Sequence, residues 1–170
     1  MSEELAPRQT EEGPDWGRRF VWAVVLVAVL VVALLVAATT VPRWWAHRIG
    51  DQVDGSITQG TLLGLFYGFV FTLVPIALVI LILRWRRTWK TIAVAVFIGI
   101  VFALPNLMTL SIVVGRGNAA HAGDRTLDVD APAFRGGSLA GALLACAVLG
   151  LIAYLIVSRN RARAVATRDP

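Results

Sequence analysis

Four uncharged apolar segments constrain the fold of this chain more than any other feature. They cover residues 20–41, 61–83, 91–114 and 138–157, and each is 20 to 24 residues long. None of them contains Asp, Glu, Lys, Arg or His. Because a helix rises about 1.5 Å per residue, roughly 20 apolar residues suffice to cross the hydrocarbon core of a bilayer. The segments therefore predict four transmembrane helices.

The remainder of the chain is too short to form a separate soluble domain. Hydrophobic residues make up 57% of the 170 residues and charged residues 16%, whereas about 25% of a soluble domain is charged. We expect a disordered acidic tail over residues 1–19, a transmembrane domain over residues 20–157 and a basic tail over residues 158–170. The predicted fold class is all-α, a polytopic membrane protein built as an antiparallel bundle of four transmembrane helices.

A basic turn between the second and third segments predicts the orientation. Residues 84–90 read Arg-Trp-Arg-Arg-Thr-Trp-Lys, with four positive charges and no negative one. With both termini cytoplasmic, eleven of the 16 Lys and Arg residues fall inside and five outside, as the positive-inside rule requires. The net charge is +5, and the basic residues cluster at helix ends. This distribution favours contact with a membrane surface over binding to nucleic acid. The residues that anchor this topology are Arg84, Arg86, Arg87 and Lys90.

Small residues recur at intervals of four in the last three segments. Such repeats let neighbouring transmembrane helices approach closely. They suit either an interface between copies of the chain or packing within one copy, and three repeats in four helices favour packing within one copy. The helix-packing residues are Gly60, Gly64 and Gly68, then Ala95, Gly99 and Ala103, and finally Gly137, Gly141 and Ala145.

Two prolines interrupt the second and third segments close to polar side chains. Tyr67 and Thr72 precede Pro75, while Asn106 and Thr109 follow Pro105. Transporters place substrates at broken helices of this kind. A kinked helix whose Asn bonds a neighbouring helix explains the same pattern, and the absence of ionisable residues in the segments favours that second interpretation.

The two connections on the outer side, residues 42–60 and 115–137, are expected to be structured loops. If residues 44–53 instead continue as an interfacial helix, His47, Asp51 and Asp54 share one face of it. They hold both histidines and five of the seven aspartates, a donor set that suits Zn²⁺ or acid–base chemistry. The alternative to such a site is a neutral lid that holds the outer helix ends together through salt bridges. Five arginines match the five aspartates in number. Residues 128–134 are expected to be extended, with Phe134 exposed for docking. The candidate polar residues are His47, Asp51, Asp54, His121, Asp124, Asp128 and Asp130.

Several short runs carry a resemblance to a known group. They are residues 41–56 (VPRWWAHRIGDQVDGS), 64–68 (GLFYG), 104–109 (LPNLMT) and 117–123 (GNAAHAG). The chain resembles small four-span membrane proteins of actinobacteria, which are loosely called permeases without demonstrated transport. The resemblance covers about residues 20–157 and implies a bacterial plasma membrane, but no cofactor and no catalytic residue.

Three functional classes follow from these features. The leading expectation is a non-enzymatic accessory or scaffolding subunit that contacts another membrane protein, or copies of itself, within the lipid bilayer. The first alternative is a small oligomeric transporter or permease component. The second is an extracytoplasmic metal or catalytic site built from the His and Asp residues, although the chain has no HExxH, GxSxG or closely spaced Cys/His set.

Overall fold

The computed structural model describes residues 16–84 and 88–166, with side chains up to residue 161. These residues form five α-helices and contain no strand. Four of the helices are long and apolar enough to cross a membrane. The chain divides into two compact units, Met1–Ala37 and Ala38–Pro170, and the described part of the first unit is a single stretch of helix. The helices are α1 (Trp16–Val53), α2 (Ile57–Arg84), α3 (Trp89–Val114), α4 (Asn118–Asp130) and α5 (Phe134–Ala166).

Both connections that were expected to be loops are largely helical. α1 continues through Pro42 to Val53, and α4 occupies more than half of the second connection. The physical reason is an apolar stripe at helical spacing, which makes each segment amphipathic and gives it a face to bury. The buried positions are Pro42, Trp45, Ala46, Ile49, Gly50 and Val53 in α1, and Ala119, Ala120, Gly123 and Leu127 in α4.

These helical segments build a folded cap at one end of the second unit. We define the cap as α1 from Pro42 onward, α4, and the adjoining ends of α2, α3 and α5. Its buried core consists mainly of large apolar side chains, so hydrophobic burial holds it together. The core residues are Trp45, Ala46, Ile49, Val53, Ile112, Leu127, Ala131 and Phe134.

The turn between α4 and α5 inserts an aromatic side chain into this core. The prediction of an extended segment with an exposed Phe134 was wrong, because Phe134 begins α5 and is 0% exposed. Ala133 before it has a φ of 65°, a left-handed conformation that costs a non-glycine residue about 1–2 kcal/mol. Burying a phenylalanine side chain contributes about 1.5–3 kcal/mol, which offsets the strain.

α2 makes its most extensive contact with α5, and glycines on both helices produce it. A Cβ added at Gly64 would lie on the carbonyl oxygen of Phe134, and one added at Gly68 on that of Ser138. In return, a Cβ at Gly137 would lie 2.7 Å from the carbonyl oxygen of Thr61. Residue numbers rise together along both helices, so α2 and α5 run parallel. Here the small-residue repeats bring two backbones of one chain into direct contact.

α3 packs on α2 in the opposite direction and less tightly. Asn106 bonds to α2 near Gly68, whereas a Cβ added at Gly99 would meet only the side chain of Leu78, at 4.0 Å. Residue numbers therefore fall along one helix as they rise along the other, and the two are antiparallel. The α3 repeat of Ala95, Gly99 and Ala103 is half-buried, and no backbone atom of a neighbouring helix lies within 4 Å of a Cβ added at Gly99.

The chain ends and the basic turn are described only in part. Residues 16–19 begin α1, so the predicted disordered tail is wrong there, and residues 1–15 lie outside the described chain. The predicted basic tail from residue 158 continues α5 as far as Ala166. Arg84 and Lys90 are exposed, whereas Arg86 and Arg87 fall outside the described residues.

Candidate functional site

A cavity of about 430 Å³ opens between α2, α3 and α5, below the cap. It brings together three of the four polar residues predicted within the spans, namely Thr72, Asn106 and Thr109. The volume lies in the range of ordinary small-ligand sites. The other lining residues, which the sequence did not single out as a site, are Leu110, Val113, Arg135, Gly136, Ser138, Leu139 and Ala142.

Asn106 gives the cavity its most distinctive polar group. Its Nδ2 donates to Thr72 Oγ1 at 2.8 Å and, more weakly, to the carbonyl oxygen of Gly68 at 3.4 Å. Its Oδ1 is buried and has no hydrogen-bond partner among the described residues. Leaving a buried acceptor unpaired costs about 1–3 kcal/mol. A molecule in the cavity would pair with this oxygen only after a local rearrangement, because the atom itself is inaccessible in the structure.

Thr109 lines the same cavity but is already engaged in the fold. Its hydroxyl donates to the carbonyl oxygen of Pro105 at 3.0 Å and accepts a hydrogen bond from Trp45 Nε1 at 3.0 Å. The second of these bonds joins the cap segment of α1 to α3 and is buried. Thr109 therefore stabilises the wall of the cavity. Asn106 is the lining residue with an unpaired hydrogen-bond acceptor, its Oδ1.

Tyr67, the fourth predicted residue, does not line the cavity. Its ring packs against Trp45, Phe71 and Phe134, with ring centroids 5.9, 5.1 and 5.9 Å away. Its hydroxyl donates to Gln52 Oε1 at 3.3 Å. Tyr67 thus belongs to the packing between the cap and α2.

Arg135 closes the cap side of the cavity and is held by two carboxylates. Its guanidinium group donates to Asp124 and to Asp128. These residues are one helical turn apart on α4, so they face the same side of that helix. All three side chains are at least a third exposed, which limits each pair to about 1 kcal/mol or less. The cluster carries a net charge of −1 and does not attract anions.

The remaining predicted polar residues lie in another part of the cap. His47, Asp51, Asp54 and Asp130 line a polar cavity of about 280 Å³, which His121 does not line. His47 Nδ1 lies 2.8 Å from the carbonyl oxygen of Arg43 and must therefore donate to it. Among the described side chains, no three His, Cys, Asp or Glu residues are arranged to hold a metal ion.

The predicted cluster of seven cap residues is thus divided between separate places. Two aspartates hold Arg135, four residues line the smaller cavity, and His121 is exposed on α4. Arg135 and Ser138 are the cavity residues that sequence reasoning missed. The sequence did carry one signal for Arg135, the interval of four between Asp124 and Asp128, which lets both carboxylates bind one arginine. That signal is informative only if α4 is a helix.

Comparison with known protein families, curated proteins and solved structures found no match to this chain. The function is therefore inferred from the geometry of the cavity and the cap.

Proposed function

We propose that this chain is a non-enzymatic subunit of a bacterial plasma membrane, with an accessory or scaffolding role. The four long helices form a bundle in which consecutive spans are antiparallel, both termini are cytoplasmic, and the cap lies outside. The distribution of basic residues, eleven inside and five outside, supports this orientation.

The folded cap is the observation that carries this proposal. It has an apolar core, and Arg135 ties α5 to α4 across its surface. Its exposed side chains include His47, Arg48, Asp51 and Arg125. A preorganised surface loses little conformational entropy when a partner binds. A rigid polar surface beside the membrane suits contact with another membrane protein or with a second copy.

Site-specific photo-crosslinking in native membranes tests the proposal. Crosslinkers placed at Gln52 and Arg125, both exposed on the cap, should capture the same partner. A crosslinker at Lys90, exposed at the opposite end of α3, is the matched control and should not capture it. Identical products from all three positions, or none from the cap positions, would contradict an accessory role through the cap.

The unpaired Oδ1 of Asn106 favours a second function, a small transporter or permease component that works as an oligomer. A solute with a donor group would bind Asn106 inside the cavity, between apolar walls formed by α3 and α5. The prolines at positions 75 and 105 lie inside α2 and α3, and both helices continue through them.

Flux measurements in proteoliposomes distinguish this second function from the first. A panel of small solutes bearing hydroxyl or amine groups is the probe, and N106L should abolish any flux that the wild type supports. S111A is the control, because Ser111 is exposed and bonds only to its own helix at Met108. A wild type without flux, or flux that survives N106L, would exclude transport through this cavity.

A further inference from the structure

A second apolar recess lies between α2 and α5 at the end where the basic turn is. It measures about 450 Å³ and has one charged lining residue, Arg84, at its end. We call it the turn-end groove. Its walls are aliphatic on both helices. The lining residues are Ala77, Ile80, Leu81 and Arg84 of α2 with Leu149, Ile152, Ala153, Ile156 and Val157 of α5.

A smaller cavity adjoins the groove and adds a second arginine. It shares Ala153 and Val157 with the groove and is also lined by Arg161. No acidic residue lines either cavity. Among the described side chains, neither Arg84 nor Arg161 has an ion-pair partner. Arg84 therefore lines one end of the turn-end groove, and Arg161 lines the cavity that adjoins it. Neither guanidinium group has an acidic partner among the described side chains.

The dimensions of the groove fit one leaflet of a bilayer. From Ala77 to Arg84 the helix rises about 10 Å, at roughly 1.5 Å per residue. One leaflet contributes about 15 Å of hydrocarbon. For a membrane-spanning α2, the aliphatic part of this wall fits within the acyl-chain layer, and Arg84, the last residue of α2, falls nearest the phosphate groups.

We propose that the turn-end groove binds an anionic phospholipid of the surrounding bilayer. Its acyl chain lies along the aliphatic walls, and its phosphate accepts hydrogen bonds from Arg84 and Arg161. Arginine is suited to this task because its planar guanidinium group binds phosphate oxygens in pairs. Basic pockets between transmembrane helices are a recurrent way of binding anionic lipid head groups.

The charge of the groove argues for a lipid over a second copy of the chain. A symmetric contact between two copies would bring each arginine pair toward the same pair of its partner. Like charges so placed repel each other strongly at the edge of a low-dielectric region. An anionic lipid neutralises both arginines, and the bilayer supplies it at high concentration.

Native mass spectrometry of the chain released from lipid nanodiscs tests this proposal. The nanodiscs contain phosphatidylcholine with a minor fraction of phosphatidylglycerol, and the measured quantity is the ratio of the two lipids retained. We expect selective retention of phosphatidylglycerol by the wild type. R84Q/R161Q should lower the ratio more than about tenfold, since each charge-assisted hydrogen bond from a guanidinium group to a phosphate oxygen is worth about tenfold or more.

Two matched controls separate a built site from general electrostatic attraction. K90Q/R159Q removes the same charge from positions that line neither cavity, and should leave the ratio unchanged. A153W fills the groove without altering charge and should release the lipid, whereas A147W, also exposed on α5 but outside the groove, should not. R84K/R161K keeps both charges but loses the paired hydrogen bonds, so its ratio should lie between those of the wild type and R84Q/R161Q.

The same spectra contain the results that would overturn the proposal. Equal losses in R84Q/R161Q and K90Q/R159Q would show that only net charge matters. Retention that survives A153W would show that the groove is not occupied. A dimer that forms without bound lipid and is lost in A153W would assign the groove to a second copy of the chain.

Discussion

Replacing Gly68 by alanine tests the close contact between α2 and α5 directly. The added Cβ would lie on the carbonyl oxygen of Ser138, 2.7 Å from its carbonyl carbon and 2.9 Å from the nitrogen of Ala142. Ordinary contacts begin at 3.4 Å. All three neighbours are backbone atoms, so no side-chain rotation relieves the overlap. The helices must therefore separate by more than the 0.7 Å (3.4 minus 2.7 Å) that the carbonyl carbon alone requires, because the carbonyl oxygen lies closer still.

The cost of that separation follows from dispersion. A gap of about 0.5–1 Å removes a quarter to a half of each contact, and an atom pair in contact is worth about 0.1–0.2 kcal/mol. With about 50 such pairs, the number that one buried Leu side chain makes, the loss is about 1–5 kcal/mol. Alanine recovers about 1 kcal/mol through its higher helix propensity. We expect G68A to lower the free energy of unfolding by about 1–3 kcal/mol, the usual cost of overpacking.

Unfolding in mixed micelles, with an increasing fraction of denaturing detergent and helix content followed by circular dichroism, measures this change. Gly150 provides the control, because it also lies inside a helix and a Cβ there meets nothing within 4 Å. G150A should therefore be neutral or stabilise the chain by up to about 1 kcal/mol. If G68A matched or exceeded the stability of the wild type, the α2–α5 contact described above would be refuted.

Three further predictions concern the cap and the orientation. T109V should destabilise the chain by about 1–3 kcal/mol because it leaves the buried Trp45 Nε1 unpaired. W45F should cost less through this bond, because the Thr109 hydroxyl keeps its hydrogen bond to the carbonyl oxygen of Pro105; if a double-mutant cycle shows no coupling, the bond between these residues contributes nothing. R135Q should destabilise the cap by about 1 kcal/mol, because it leaves two carboxylates one turn apart without a cation; hydrogen exchange in α4 should then accelerate, and unchanged protection would oppose this. A cysteine at Thr88 in a C146A background should resist a membrane-impermeant reagent in intact cells; labelling there would reverse the proposed orientation.

The four long helices could be predicted from the sequence because uncharged apolar length is a strong and local signal. The cap was harder, because its helices are short and its buried positions in α4 are mostly alanine and glycine. The stripe of Trp45, Ile49 and Val53 is at helical spacing, so an interfacial helix could be considered there, but its burial depends on contacts with other helices. Phe134 was missed because its burial depends on the unusual backbone of Ala133.

The side of the cavity formed by α2 and α3 could be predicted from the sequence, whereas the side formed by α5 could not. The basic turn makes the second and third segments neighbours, which brings Thr72 and Asn106 to similar depths on facing helices. The contact of α5 with α2 could not be anticipated, since parallel helices distant in sequence carry no connecting turn. Arg135 was counted only as an outer charge, because its role depends on a helix that was not predicted.

The two recesses along α5 have different chemistry because the small-residue repeat ends partway along the helix. Up to Ala145, α5 presents glycine and alanine to α2, and the backbones meet. The next residues on that face are Leu149, Ile152 and Ile156, and there the turn-end groove lies between the helices. Toward the cap no such space remains between α2 and α5, so the polar cavity has to lie against α3. The α2–α5 contact therefore keeps the two sites apart, and a change at Asn106 should leave lipid retention in the groove unaffected.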